Sequence, residues 1–151
     1  LTWVKFPQAS LADVPAGFAP VTAWLVFTRA DRPYWWSRFL DPDLAHVFVI
    51  VRADVAWLAL DFRLDYLDVR LLGLSTEPLP SLLPEGWTRM VEVVGYRAQY
   101  RQRVPWLVAP WSCVELAKHV LGVRGWGPFT PEGLLRHLEH AGRVRSSVRR
   151  A

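Results

Sequence analysis

The sequence predicts an α+β domain, and three observations carry that expectation. Residues 22–101 hold apolar runs rich in Val, Ile, Phe and Trp, the composition of strands. Residues 112–142 change to a helical period bounded by capping signals. A chain of 151 residues that is 52% hydrophobic buries one core and is too short for two ordinary domains. Strands first and helices last is an α+β order.

Taken along the chain, residues 1–21, with Pro7, Pro15, Gly17 and Pro20, read as an irregular arm ahead of a single domain over 22–142. A strand is expected at 22–28, then a short helix over 32–40 with Pro33 in its first turn. The runs 46–51 and 55–62, separated by Arg52, Ala53 and Asp54, read as a hairpin whose apolar residues are consecutive, so both faces should be covered. A third strand follows at 67–74, a Pro-rich loop at 77–84, and a long strand at 88–101 with Gly95 marking a bulge. After a second Pro-rich connection at 104–110, Ser112 with Glu115 three residues on is a capping box that makes Cys113 the first helical residue, with Gly122 as the stop. A second helix begins at Thr130 with Pro131 in its first position, carries Leu134, Leu135, Leu138 and Ala141 on one stripe, and stops at Gly142.

Charge narrows the function classes. Of 18 basic residues, Arg143, Arg145, Arg149 and Arg150 follow Gly142, and the remaining 14 balance 14 acidic ones. The body is therefore neutral and does not read as a nucleic-acid-binding domain. Residues 143–151 are expected to form a mobile basic tail, whose sharper reading is contact with nucleic acid or another polyanion. No apolar run approaches the roughly 20 residues a membrane span requires. The opening Leu1 to Lys5 lacks the basic-then-apolar layout of a secretory signal. No cofactor is implied.

Cys113 is the only cysteine, so no internal disulfide can form. On a helical wheel Cys113, Leu116, Ala117, Val120 and Leu121 share one stripe, with Glu115, Lys118 and His119 opposite. The sulfur faces the body of the protein beside first-turn N–H groups and the positive end of the helix dipole, where negative charge on sulfur is favoured. One reading makes it a small buried apolar residue; the other makes it a nucleophile, which requires a base. His119 lies on the far face of the same helix. His137 and His140 form an H-x-x-H pair with no third ligand, weak as a metal signal, so no metal is expected. His46, opening a strand of Val47, Phe48, Val49, Ile50 and Val51, is left as the partner.

The hairpin supplies an orienting group. A turn centred between Ala53 and Asp54 places His46 directly opposite Asp61, Phe48 opposite Ala59 and Ile50 opposite Trp57. Asp61 could then hold the imidazole in the tautomer that leaves its other nitrogen for the thiol. The weak point is the turn, since Ala53-Asp54 is not a favoured hairpin pair and a slip of one residue would oppose His46 to Leu60 or Phe62.

A thiol at a helix N-terminus, packed on a sheet that carries a histidine and then a polar residue, resembles the papain-like fold. The closest resemblance is to the circularly permuted branch of the NlpC-like cysteine peptidases and amidases, because His46 and Asp61 precede Cys113. The segments AHVFVIV, WLALDF, PWSCVELAKHVLGV and FTPEGLLRHLEH are also similar to small bacteriophage and prophage proteins. The likeness spans about residues 22–141. It implies Cys113 as nucleophile, His46 as general base and acid, Asp61 as orienting residue, and the Cys113 N–H as an oxyanion donor, acting on an amide through a thioester. Peptidoglycan stem peptides are the substrate, and a virion or the bacterial cytoplasm the location, that the resemblance implies. Two other readings stand beside this one. The first is a non-enzymatic component of a phage tail or neck, binding other virion proteins through aromatics such as Trp3, Trp35, Trp36, Trp106, Trp111 and Trp126. The second is an acyltransferase or deamidase using the same thioester.

Overall fold

A computed structural model describes residues 23–29, 39–63, 66–93, 112–123 and 127–150. Six strands, β1 (Ala23–Thr28), β2 (His46–Ala53), β3 (Ala56–Arg63), β4 (Tyr66–Leu74), β5 (Trp87–Val93) and β6 (Val144–Arg149), form one antiparallel sheet in the order β4-β3-β2-β1-β5-β6. Among the described residues three α-helices, α1 (Leu79–Leu82), α2 (Cys113–Val120) and α3 (Pro131–His140), and a short 3-10 helix at Pro42–Leu44 accompany them. The α+β expectation holds: four strands come first, β5 lies between α1 and α2, and β6 follows α3.

The sheet carries a core on each face, as the consecutive apolar runs require. On one face Leu25, Phe27, Val47, Val49, Val91 and Val93 meet Val114 and Ala117 of α2, Leu121 that caps it, and Leu134, Leu135 and Leu138 of α3. On the other, Val26, Phe48, Ile50, Trp57, Ala59, Trp87 and Met90 close over Leu79. β1 lies at the centre, and four of its six side chains are fully shielded from water. This central position explains why its run is apolar without alternation.

Both long helices begin and end at the expected signals. The Ser112 side chain accepts the Glu115 N–H at 3.3 Å, and the Thr130 side chain accepts the Gly133 N–H at 3.0 Å. At the far end of α2, Gly122 takes φ of 61° while Val123 N–H returns to the Lys118 carbonyl, a closure that needs a left-handed residue at that point.

Four expectations are corrected. The hairpin turn is Asp54-Val55, one residue later than the sequence suggested, so Ala53 opposes Ala56 and Ile50 opposes Ala59. The physical reason is backbone sign: a two-residue hairpin wants φ above zero at its first turn position, and Asp54 takes φ of 42° there, which alanine tolerates less well. Residues 144–149 of the expected mobile tail are β6, held to β5 by the strand ladder, by Ser146 Oγ donating to Glu92 Oε2 at 3.1 Å and by Arg89 Nε donating to Ser147 Oγ at 2.8 Å. The Pro-rich loop at 77–84 contains the four-residue helix α1, with Pro80 in its first turn, where a missing N–H costs nothing. Lys118, placed on the polar face of α2, is buried; its ammonium donates to Glu115 Oε1 at 2.7 Å and lies 5.8 Å from the Phe129 ring. The arm at 1–21, residues 32–38 of the short helix expected over 32–40, residues 94–101 of the strand expected over 88–101 with its bulge at Gly95, the connection at 104–110 and the six loop tryptophans lie outside the described residues.

Candidate active site

The site forms where two neighbouring strands part company. The β2–β3 ladder runs from Ala53 opposite Ala56 to Val49 opposite Leu60. Beyond that rung β2 continues on β1, with His46 opposite Thr28, while β3 continues on β4, with Asp61 opposite Asp68. The side chains of His46 and Asp61 therefore meet at the open end of the pair. Extending the register puts Asp61 opposite Phe48 and diagonal to His46, within reach of an imidazole. Their contact is direct, His46 Nε2 to Asp61 Oδ1 at 2.7 Å.

Asp61 is only 1% exposed, and a carboxylate so far from water needs partners for its charge. His46 provides one. Arg70 on β4 provides another, with Nη2 3.6 Å from Asp61 Oδ2, while its Nε meets Asp68 Oδ2 at 3.0 Å. No reasoning from the sequence singled out Arg70. Arg70 stands two residues from Asp68, the residue opposite Asp61, and that placement follows only once β4 is known to pair with β3.

Cys113 reaches the same place from the other layer. It is half-buried and packs against the helix-side core, as its position on the helical stripe implied. Ser112 occupies both the Glu115 N–H through its hydroxyl and the Leu116 N–H through its carbonyl. The N–H groups of Cys113 and Val114 are then the first-turn donors that neither cap nor helix consumes.

The electrostatics tie the three residues together. Burial works against a charged imidazole at His46, but the hydrogen bond to Asp61, then hydrogen bonding and charge attraction from Cys113, outweigh it and raise its pKa from 6.5 to about 9. With Nε2 given to Asp61, Nδ1 is the nitrogen left to serve the sulfur. The three residues singled out from the sequence, Cys113, His46 and Asp61, are thus brought together. At neutral pH the arrangement favours an imidazolium at His46, set between the Asp61 carboxylate and the Cys113 sulfur.

His137 and His140 are exposed on α3, and His140 Nδ1 lies 2.7 Å from the Arg136 carbonyl. Among the described residues, no group of three or more His, Cys, Asp or Glu side chains is arranged to hold a metal ion. No helix among them is long and apolar enough to cross a membrane. No protein-family model, curated protein or solved structure matches the chain.

Proposed function

We propose that this chain is a cysteine-dependent amide hydrolase on a circularly permuted papain-like scaffold. The observation that carries the reading is the His46 imidazole held between Asp61 at 2.7 Å and Cys113, with its proton retained to about pH 9 by both neighbours. A structural histidine needs one satisfied nitrogen; this one is gripped on both sides by the groups a thiol nucleophile requires.

The chemistry follows from that order of groups. The Cys113 thiolate attacks the amide carbonyl carbon, and the carbonyl electron pair moves to an oxyanion beside the first-turn N–H groups of α2. Collapse breaks the C–N bond as the His46 imidazolium gives its proton to the departing amine, leaving a thioester on sulfur. Water then attacks the thioester, its proton passes to the neutral imidazole, and the C–S bond breaks to restore the thiolate and imidazolium. Asp61 fixes the ring plane and stabilises its positive charge throughout. Peptidoglycan stem peptides are the substrate class this reading assigns, in the setting of a phage or prophage protein.

The single cysteine makes the test unambiguous. Alkylation of Cys113 by iodoacetamide should already be fast at pH 6, and His46→Ala should return it to the slow, base-dependent profile of an ordinary thiol. Hydrolysis of stem peptides should vanish in Cys113→Ala, with a thioester adduct captured by mass spectrometry in the parent chain. Labelling that climbs with pH like a free thiol and is unchanged in His46→Ala would remove the proposal.

A further inference from the structure

The two edges of the sheet are finished in different ways. β6 carries Arg145 and Arg149, the charged residues by which edge strands discourage pairing. β4 carries nine residues, of which Tyr66, Leu67, Val69, Leu71 and Leu74 are each between 49% and 70% exposed. Among the described residues β4 pairs with β3 alone, so its outer row of N–H and C=O groups has no strand beside it. A long, apolar, unpaired edge is a template for another strand.

The charges on β4 say which strand. Asp68 and Arg70 flank Val69, and both are partly exposed. In an antiparallel pairing of β4 with itself about a twofold axis at Val69, Asp68 stands opposite Arg70 of the second copy, and Arg70 opposite its Asp68. Leu67 then stands opposite Leu71, and Val69 opposite Val69. Moving the axis to Asp68 or to Arg70 sets like charges face to face, which destabilises a cross-strand pair. The strand is self-complementary in one register. Its helix-side residues Leu67, Val69 and Leu71 lie opposite Phe62, Leu60 and Leu58 of β3, so two copies would join these stripes into one continuous apolar floor.

We infer that this protein forms a twofold dimer through antiparallel β4–β4 pairing centred on Val69, joining two six-stranded sheets into one of twelve. The pairing closes on itself, because it consumes the apolar edge of both copies and, among the described residues, leaves the arginine-bearing β6 edges outside. The interface is small, so the association is expected in the micromolar range.

Light scattering and sedimentation across micromolar concentrations should show a reversible shift to twice the chain mass. Val69→Lys, at an exposed position, should leave a folded monomer with an unchanged circular dichroism melt. Asp68→Arg alone should weaken the dimer, and adding Arg70→Asp should restore it. In a Cys113→Ser background, Val69→Cys should cross-link readily on oxidation while Leu74→Cys, equally exposed but off the axis, should not. A chain monomeric at every concentration, a dimer that survives Val69→Lys, or equal cross-linking at positions 69 and 74 would each overturn the inference.

Discussion

The β2–β3 hairpin carries an aspartate near each end, and the two are governed by different physics. Asp54 sits in the turn, exposed, with φ of 42°, and the Ser75 hydroxyl donates to its backbone carbonyl at 3.1 Å. Asp61 sits at the open end, 1% exposed, with its carboxylate committed to His46 and facing Arg70. Asp54 is chosen for its backbone, since a short polar residue tolerates the left-handed region. Asp61 is chosen for its charge. One residue type thus ends the hairpin twice, once to turn the chain and once to hold a proton in place, so replacing each should move different observables.

The largest effect is expected at the buried end. Asp61→Ala removes the acceptor that orients His46 and the charge that retains its proton, so the proposed thiol-dependent hydrolysis should fall by roughly 100-fold or more. Asp61→Asn separates the two roles. It keeps a carbonyl oxygen for the ring nitrogen but removes the negative charge, so the alkaline limb of the pH–rate profile should move below its parent position near 9 while part of the rate survives. Equal loss in both variants, with no shift of the limb, would assign Asp61 a purely structural place.

Stability should follow the same proton. The folded-state pKa of His46 is raised, so the folded chain binds that proton more tightly than the unfolded chain. The resulting stabilisation is complete below about 6.5 and is lost as pH climbs through about 9. The ring is partly solvated, which keeps the expected loss over that window to roughly 1–3 kcal/mol. Urea unfolding at a series of pH values reads it directly. The decline should be shallower in Cys113→Ser, which removes one of the groups that raise the pKa, and absent in His46→Gln. A flat profile in the parent chain would mean that the imidazolium is not held as described.

The same contrast marks what the residues alone could reveal. The partnership of His46 with Asp61 was legible although the turn was misplaced. The observed register differs from the expected one by two residues along the paired strand, and a shift of two keeps every side chain on its face. A slip of one would have hidden the site. The caps at Ser112 and Thr130 were legible because capping is local chemistry, and Cys113 follows from Ser112 by helical phase. β6 was not legible, because Val144 to Arg149 looks solvated until Glu92 and Arg89 are placed beside it. Lys118 was misplaced for a related reason. Its polarity argues for water, but Glu115 and Phe129 let it be buried, and only the fold brings Phe129 near. Arg70 depended on which strand lay next to β3, which no local pattern specifies.

The smallest effect belongs to the turn and isolates its backbone role. Asp54→Gly relieves the left-handed strain but widens the unfolded ensemble, and these opposing terms should leave stability within about 0.5 kcal/mol of the parent. Asp54→Val places a β-branched residue at φ of 42° and should cost about 1 kcal/mol or more, read as a lower melting temperature. Neither substitution should change the rate of Cys113 alkylation or the pH dependence of unfolding, because the turn lies at the opposite end of the hairpin from His46. If Asp54→Gly altered either one, the two ends of the hairpin would be coupled, and assigning one aspartate to the backbone and the other to charge would fail.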